Sequence, residues 1–325
     1  MEHRLYLAPM RGYTDAVFRN TFLKYFNGFD GAMAPFVPTL KGNRIKSSQI
    51  RDLVPENNMG MPLVPQILSK SPGDFTFLAN HLFDLGYSVV NWNLGCPFPM
   101  VAKKGRGSGL LPYPDKIEEF LAATIPAIPN KLSIKLRLGR KNADEIFHLL
   151  PILNRYPLQE LVIHPRTGIQ MYTGDIDLDT FEKCLGLSEH PVTYNGDITT
   201  LDAFIQLSER FANVKRWMIG RGVIANPFLP AVIKTGKDRF EHKIEIMHRF
   251  HDDLYDGYRE IFQGPSHLVE RMKGFWKYFA LSFEDSRKIQ KKIFKAKTAR
   301  RYESVVMHFF ESEARWSSTP GKFCS

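Results

Sequence analysis

Short apolar segments recur along the first 220 residues, and each is followed by a stretch long enough for a helix. Strands that alternate with helices in this way indicate parallel βα units. Eight such units in about 235 residues predict a (β/α)8 TIM barrel of the α/β class. A doubly wound open sheet is the alternative, but no Gly-x-Gly-x-x-Gly motif follows the first segment. The eight predicted strands lie within residues 5–10, 31–35, 63–68, 89–96, 132–137, 160–164, 192–195 and 216–220.

The alternation stops after Phe228, and the apolar spacing from residue 239 to residue 315 is helical. We therefore predict a barrel over residues 1–238, an all-α helical domain over 239–316 and a flexible tail over 317–325. Ser282-x-x-Asp285 predicts a capping box that opens one of the helices. Along that helix Ile289, Ile293 and Ala296 are expected to face inward, and Lys288, Lys291, Lys292 and Lys295 outward.

The composition is that of a globular chain of 325 residues, of which 43% are apolar. No apolar run reaches the roughly 18 residues that a membrane span needs. The first residues include an acid and no long apolar run, so we expect no secretory signal. The three cysteines are scattered and form no disulfide framework, which favours a reducing compartment. We expect a cytoplasmic monomer without a membrane or metal partner.

The formal net charge of +10 is concentrated in one segment. Residues 271–301 contain eleven Lys and Arg and two acids, so they carry +9 and the rest of the chain carries +1. A basic segment of this kind favours a polyanionic partner such as nucleic acid. Most of the interleaved aromatic residues are expected in the core, while the charges make the contacts. These aromatics are Phe275, Trp276, Tyr278, Phe279, Phe283 and Phe294.

Polar residues end most of the predicted strands, and in a barrel the carboxyl ends of the strands form the active site. Buried polar groups of this number need a ligand to satisfy them. The loops after strands seven and eight favour a phosphate site, because their glycines expose backbone N–H groups and Arg221 supplies a guanidinium. The strand-end residues are Gln66, Asn93, Cys96, Lys135, Arg137, His164, Arg166, Asn195-Gly196-Asp197 and Gly220-Arg221-Gly222.

Cys96 is the candidate catalytic cysteine, because it lies on a Gly-Cys-Pro turn at the predicted catalytic end of a strand. A lone cysteine is otherwise a small core residue, which is what we expect of Cys184. Cys324 falls in the predicted tail. The glycine-rich segment 105–109 lacks the ending of a phosphate-binding P-loop, so we interpret it as a mobile lid.

Six motifs, in this order and at these spacings, resemble those of the tRNA-dihydrouridine synthases, and the resemblance extends from Leu5 to about Arg315. Two departures stand out: Gly109 replaces the family's usual alanine, and Pro165 follows His164. Residues 30–37 and 66–68 are most similar to the subgroup that acts on position 16 of the D-loop. The motifs are Ala8-Pro-Met10, Asn93-Leu-Gly-Cys-Pro97, Lys135-Leu-Arg137, His164-Pro-Arg-Thr167, Asn195-Gly-Asp197 and Gly220-Arg-Gly222.

The resemblance implies a flavin-bearing barrel with a helical tRNA-binding domain, FMN as cofactor, NADPH as electron donor and a tRNA uridine as substrate. Cys96 would be the proton donor. The implied FMN-binding residues are Pro9, Met10, Gln66, Lys135, His164, Asn195, Gly196, Asp197, Gly220 and Arg221. The implied substrate-binding residues are Asn93, Arg137, Arg166, Tyr172, Arg271, Lys273 and Trp276.

Reduction of the uracil C5–C6 bond needs a hydride at one carbon and a proton at the other. The reduced flavin would deliver the hydride to C6 and Cys96 the proton to C5. This role requires a thiol, so we predict that Cys96 is not strongly activated despite Lys103 and Lys104 nearby. Three alternatives remain open: a small-molecule FMN oxidoreductase similar to dihydroorotate dehydrogenase, a Schiff-base aldolase using Lys135, and a non-catalytic RNA-binding protein.

Overall fold

The computed structural model describes residues 3–58, 60–317 and 321, and its centre is one sheet in which every strand pairing is parallel. The strand order is β3-β5-β6-β7-β8-β9-β10-β1-β2-β4. All eight predicted strands are present. The strands are β1 Arg4–Leu7, β2 Gly31–Met33, β3 Val37–Pro38, β4 Leu63–Val64, β5 Gln66–Leu68, β6 Val89–Leu94, β7 Lys131–Gly139, β8 Leu161–Thr167, β9 Val192–Tyr194 and β10 Arg216–Ile219.

The sheet closes on itself because its two ends belong to the same stretches of chain. Only Pro65 separates β4 from β5, and a proline has no N–H with which to continue the ladder. On one side β4 pairs with β2 and β5 pairs with β3, while on the other side β5 pairs with β6. The result is an eight-stranded barrel, as predicted. The alternative of an open doubly wound sheet is wrong.

Helices follow the strands, and several begin at a side chain that accepts a hydrogen bond from the first turn. Asp15, Ser71, Asp177, Thr200 and Thr298 are these caps. The helices are α1 Ala16–Tyr25, α2 Ser47–Ile50, α3 Pro72–Asp84, α4 Pro99–Ala102, α5 Pro114–Thr124, α6 Glu145–Leu153, α7 Leu178–Leu187, α8 Leu201–Arg210, α9 Arg221–Ala225, α10 Leu229–Thr235, α11 Lys243–Ile261, α12 Pro265–Phe279, α13 Ser286–Lys295 and α14 Ala299–His308, which runs into a π-helical turn over Phe309–Glu313.

The helical segment α11–α14 packs directly on the barrel, and the apolar core is continuous across the junction. Tyr258 of α11 donates a hydrogen bond to Asp15, the cap of α1, at 2.7 Å. The predicted boundary at residue 238 falls between α10 and α11, and the division into separate domains stays a prediction. In the predicted tail, the backbone N–H of Ser317 bonds to Ser282 and that of Gly321 to Leu281, at 2.9 and 2.8 Å. Cys324 lies outside the described residues.

The capping box predicted at Ser282 and Asp285 is wrong. The Ser282 hydroxyl donates to the carbonyl of Ala225 at 2.6 Å instead, so it fastens the helical segment to α9. Asp285 precedes α13 with a positive φ of 52° and its side chain makes no capping bond. The predicted inward stripe of α13 is confirmed, because Ile289, Ile293 and Ala296 are buried. The sequence spacing matched the motif, but tertiary packing gave the serine another partner.

Four of the six aromatics in the basic segment are core residues, as expected, while Tyr278 is half-buried and Phe294 is exposed. Trp276 is fully buried and donates its indole N–H to Tyr302. Its predicted contact with the substrate is therefore wrong. Seven cations of the segment are exposed and have no ion pair with an acid that the structure describes; they are Lys277, Arg287, Lys291, Lys295, Lys297, Arg300 and Arg301.

A buried hydrogen-bond chain ties three helices of this segment together. The Tyr302 hydroxyl of α14 accepts from Trp276 of α12 at 2.8 Å and lies 2.6 Å from His251 Nε2 of α11. Because the indole is only a donor, the hydroxyl proton goes to Nε2, and Nδ1–H of His251 donates to Asp252 at 2.9 Å. Burial lowers the pKa of His251, which keeps the ring neutral as this pattern requires.

Removal of the Tyr302 hydroxyl should destabilise the helical segment. Tyr302→Phe leaves His251 and Trp276 without buried partners, so we expect a loss of about 1–3 kcal/mol in the free energy of unfolding, measured in urea. Tyr255→Phe is the matched control, since its hydroxyl bonds to the exposed Glu303 and its loss should stay below about 1 kcal/mol. Equal losses in the two variants would contradict the interpretation.

Candidate active site

A cavity opens at the carboxyl ends of the barrel strands and encloses about 1130 Å³ of empty space, counting the solvent at its mouth. Most of the predicted site residues line it, although they come from loops spread over the whole chain. A cavity of this size accommodates a cofactor or a substrate. The predicted residues in its wall are Pro9, Met10, Asn93, Cys96, Lys135, Arg137, His164, Tyr172, Asn195, Gly196, Asp197, Gly220 and Arg221.

Gln66 does not line the cavity but lies fully buried in the barrel below it. Its amide donates to Asn91 Oδ1 at 2.8 Å and accepts from Asn93 Nδ2 at 2.7 Å. The predicted contact between Gln66 and the isoalloxazine ring stays a prediction, and in this structure Gln66 supports Asn93. Gln66 orients the Asn93 amide, which itself reaches the cavity wall.

Arg166, Arg271 and Lys273 are also absent from the described cavity wall. Arg166 lies buried behind Asp197. Arg271 bonds to the carbonyl of Gly12 and lies over the Tyr258 ring, so it joins α12 to the loop after β1. Lys273 is 6% exposed and pairs with Glu270. These three side chains serve packing and orientation in this structure, and their contacts with the substrate stay predictions.

Eight further wall residues, outside the motif residues, were not predicted. Arg11 and Tyr13 directly follow the Ala-Pro-Met motif, so the end of the first strand could have indicated them. Tyr278 comes from α12, and its ring meets that of Tyr13 edge to face at 5.2 Å. Only the docking of the helical segment brings it to the cavity. The eight are Arg11, Tyr13, Phe36, Phe98, Ile198, Thr199, Met218 and Tyr278.

The Cys96 turn is shaped by the Asn93 side chain. The Asn93 Oδ1 atom accepts the backbone N–H groups of Gly95 and Cys96 at 3.1 and 2.8 Å. Cys96 is 7% exposed, and burial raises the pKa of its thiol against the opposing effects of Phe98 N–H and two arginines. The thiol therefore stays protonated at neutral pH, in line with the sequence prediction that this cysteine is not activated.

The glycine-rich segment packs under the same turn. The backbone N–H and the hydroxyl of Ser108 both donate to the Cys96 carbonyl at 3.0 Å. Arg140 Nη1 donates to Ser108 Oγ at 3.1 Å and to the Pro97 carbonyl at 3.2 Å. A Cβ atom on Gly109 would lie 2.1 Å from the Ala102 carbonyl oxygen. This close approach leaves no room for a side chain at position 109 in this backbone conformation.

Lys135 is a half-buried cation that pairs with no carboxylate in the described part of the chain. It lies opposite Asn93 in the β6–β7 register, and its ammonium donates to Asn195 Oδ1 at 2.6 Å. Asn195 in turn donates to the Met218 carbonyl at 2.8 Å, which fixes its amide. Burial, with repulsion from Arg137, lowers the pKa of Lys135 to about 7. An anionic ligand beside this amine would restore its charge.

Asp197 is the one carboxylate among the described wall residues, and two arginines neutralise it. Arg166 binds it with both Nη atoms at 3.0 and 2.5 Å, and Arg221 binds it at 2.5 Å. Burial by itself raises the pKa of Asp197, but the two guanidiniums outweigh burial and lower it. A carboxylate would repel a phosphate. The Asp197 side chain therefore positions Arg221. In this loop, the groups that can contact a phosphate are the backbone N–H groups.

His164 is held neutral by its surroundings. Burial and the neighbouring cations, with Arg137 the largest among them, keep the pKa of His164 well below its usual value. Its Nε2 lies 3.3 Å from Arg166 Nη1, and because arginine only donates, Nε2 accepts and Nδ1 carries the proton. His164 can thus offer one N–H donor to a ligand without adding charge.

Tyr172 covers the mouth of the cavity between two guanidiniums. The Arg137 and Arg221 carbons lie 5.2 and 5.1 Å from its ring centre, as cation–π contacts require. Arg137 is itself fixed by bonds to the Gly95 and Thr167 carbonyls at 3.0 and 2.9 Å. The Tyr172 side chain remains 40% exposed, so a flat group that enters the mouth meets an aromatic face.

The donor set fits an anionic, planar ligand that carries a phosphate. Cations and amides dominate the wall, the aromatic faces lie at the mouth, and a lone thiol is present. Among the described residues no group of three His, Cys, Asp or Glu side chains could hold a metal ion. No helix in the described ranges is long and apolar enough to cross a membrane.

Comparisons with known proteins cover nearly the whole chain. The family model described as dihydrouridine synthase (Dus) matches residues 6–315. "Probable tRNA-dihydrouridine synthase 2" of Bacillus subtilis is 27% identical over 315 residues, which are 93% of each chain. "Probable tRNA-dihydrouridine synthase" of Staphylococcus aureus strain COL is 30% identical over 266 residues, 78% of each chain. "tRNA-dihydrouridine synthase B" of Pasteurella multocida is 29% identical over 72% of this chain and 70% of its own.

Solved structures share the fold at low sequence identity. An old yellow enzyme homologue from Zymomonas mobilis has a TM-score of 0.53 and 12% identity, over 76% of this chain and 94% of its own. A morphinone reductase variant solved with tetrahydroNAD has a TM-score of 0.52 and 11% identity, over 75% and 89%. These structural similarities support the barrel fold and no functional property.

Loss of the Arg140 side chain should loosen the Cys96 turn. A bond from a charged donor contributes about 1.5–3 kcal/mol, so Arg140→Ala should open the turn about tenfold more often. We expect iodoacetamide to label Cys96 about tenfold faster, as measured by peptide mass spectrometry, which also separates Cys184. Arg155→Ala is the control, because Arg155 pairs only with Glu118 at the surface. An unchanged labelling rate in Arg140→Ala would show that Arg140 does not anchor the turn.

Proposed function

The chain belongs to the dihydrouridine synthase family, and from that premise we propose that it is a flavin-dependent oxidoreductase that reduces a uridine of tRNA to dihydrouridine. One observation carries the proposal: the half-buried Lys135 amine of β7 and the protonated thiol of Cys96, two residues after β6, line the same cavity from adjacent strands. The Lys135 amine suits an anionic redox ring, and the Cys96 thiol suits the role of proton donor.

We propose FMN as the cofactor. Lys135, Asn195 and Met10 would hold the ring, and the neutral His164 would donate a hydrogen bond to its polar edge. The backbone of the loops at Gly196 and Gly220, with Arg221, would bind the phosphate. When bound, the reduced flavin supplies a hydride to C6 of uracil. NADPH as the electron donor rests on the family resemblance of the motifs.

Cys96 would supply the proton to C5 of the same uracil. A general acid must be protonated at the working pH, and burial raises the pKa of this thiol. Arg137, Asn93 and Tyr172 would orient the base, because all three belong to the wall and Tyr172 offers an exposed aromatic face. A base inside folded RNA is stacked, so it would have to leave the stack to reach the thiol.

The exposed cations of the helical segment favour RNA over a small molecule as the substrate. A small-molecule FMN oxidoreductase does not need seven exposed cations on its helical segment, whereas an enzyme that binds an RNA backbone does. We propose uridine 16 of the D-loop as the target, on the similarity of residues 30–37 and 66–68 to that subgroup. A cytoplasmic location and a monomeric state are proposed from the composition.

The function is tested by mapping dihydrouridine in tRNA from cells that lack this protein and carry a plasmid copy. The parent gene should restore dihydrouridine at one D-loop position. Cys96→Ala should slow the modification about 10²- to 10⁴-fold, which is what a positioned general acid contributes. Cys184→Ala is the matched control, since Cys184 lies in the core of α7 away from the cavity. Full modification by Cys96→Ala would remove Cys96 as the acid, and unchanged tRNA in the deletion strain would reject the function.

A further inference from the structure

A second basic surface lies on the rim of the cavity, outside the basic helical segment. We call it the rim cluster and define it as Lys70, Lys103, Lys104, Arg106, Tyr113 and Lys116. Most of it belongs to residues 98–116, which carry a net charge of +3. This stretch begins two residues after Cys96. The net charge of the whole chain does not reveal the rim cluster, because acidic residues elsewhere offset its positive charge.

The cations of the rim cluster contribute no described ion pair to the fold, and Lys116 contacts the Tyr113 ring. Lys70, Lys103, Lys104 and Lys116 are exposed and Arg106 is half-buried. Within the ranges that the structure describes, none of the five forms an ion pair, whereas Arg155 and Arg210 on the outer wall pair with acids. Five cations that lie close in the fold repel one another, so a fold without an anionic partner gains nothing from placing them together.

The rim cluster borders a groove beside the lid. Lys70, Gly105, Tyr113 and Lys116 line this groove, with Glu119 as the acid that the described wall contains. The Tyr113 side chain is 50% exposed, and the Lys116 ammonium lies 4.6 Å from its ring centre. An exposed ring beside unpaired cations is the combination that binds a nucleic-acid strand, because cations track phosphates and rings stack on bases.

The position of the rim cluster complements that of the helical segment. The helical segment contacts the loop after β1 through Arg271 and packs on α9 after β10. The glycine-rich segment 105–109 follows β6. If β2 with β3 and β4 with β5 are each counted as one barrel strand, β6 lies three strands from β1 in one direction round the barrel and four strands from β10 in the other. The two basic surfaces therefore flank the cavity mouth on opposite sides, with the Cys96 turn next to the rim cluster.

We propose that the rim cluster binds the phosphate backbone of the same RNA molecule whose base enters the cavity, on the side of the mouth opposite the helical segment. The inference rests on the proposed function. The RNA is then bound at two sites, the rim cluster and the helical segment, with the cavity between them.

The test is the salt dependence of tRNA binding by the full-length, flavin-loaded protein. An unmodified, fluorescently labelled tRNA transcript is titrated at several KCl concentrations, and the logarithm of the affinity is plotted against that of the salt concentration. For Lys103→Gln/Lys104→Gln the slope should become shallower by about 1.4, since each contact to a single-stranded phosphate contributes about 0.7. The control is Lys131→Gln/Lys183→Gln, which removes the same charge from the far end of β7 and from α7.

A slope that changes in the rim variant and not in the control supports the proposal. Equal slopes in the parent and the rim variant, or equal changes in the rim variant and the control, overturn it. If Lys103→Gln/Lys104→Gln loses its flavin, Lys70→Gln/Lys116→Gln outside the lid gives the same decision. A rim cluster that is dispensable while the parent still binds and reduces tRNA rejects this inference alone, whereas a parent that does not bind tRNA rejects the proposed function.

Discussion

The bidentate bond between Arg166 and Asp197 determines the electrostatics of the cavity. Asp197 is the one carboxylate in the described wall, and Arg166 and Arg221 neutralise it completely. No anion is left for Lys135, whose pKa falls to about 7, or for His164, which stays neutral. A barrel that holds an amine without an anionic partner in its described wall favours the binding of a negatively charged ligand. The excess of positive charge in the wall therefore favours an anionic ligand, while burial sets the state of the Cys96 thiol.

The chemistry at the cavity depends on elements that are distant in sequence. Asn93 shapes the Cys96 turn, and Gln66 orients Asn93 from the layer below. Arg140 anchors the lid to the same turn. On the other side of the mouth, α12 brings Tyr278 into the wall and bonds through Arg271 to the loop after β1. The helical segment is therefore part of the active site as well as a surface for RNA, since its displacement would open the wall at Tyr13.

Apolar periodicity was enough to predict the barrel, because strands buried on both faces leave a continuous apolar signal. The strand ends were predictable for the same reason, which located Asn93, Cys96, Lys135 and His164. Side-chain partners were not predictable. Gln66 has the right strand and register but finds its partner in Asn91, Ser282 bonds to Ala225 rather than capping a helix, and Trp276 turns inward to Tyr302. Each of these depends on a contact between residues far apart in the chain, which local spacing does not encode.

The central claim is that Lys135 is a half-buried amine, without an anionic partner in the described cavity wall, that binds an anionic ring. Nuclear magnetic resonance of the protein with ¹³C-labelled lysine measures its titration midpoint directly, first without cofactor and then with reduced FMN under anaerobic conditions. The account predicts a midpoint near 7 in the cofactor-free protein and a rise of more than about one pH unit with reduced FMN, because the anion favours the charged amine. A midpoint at the ordinary lysine value without cofactor, or one that reduced FMN leaves unmoved, would contradict it.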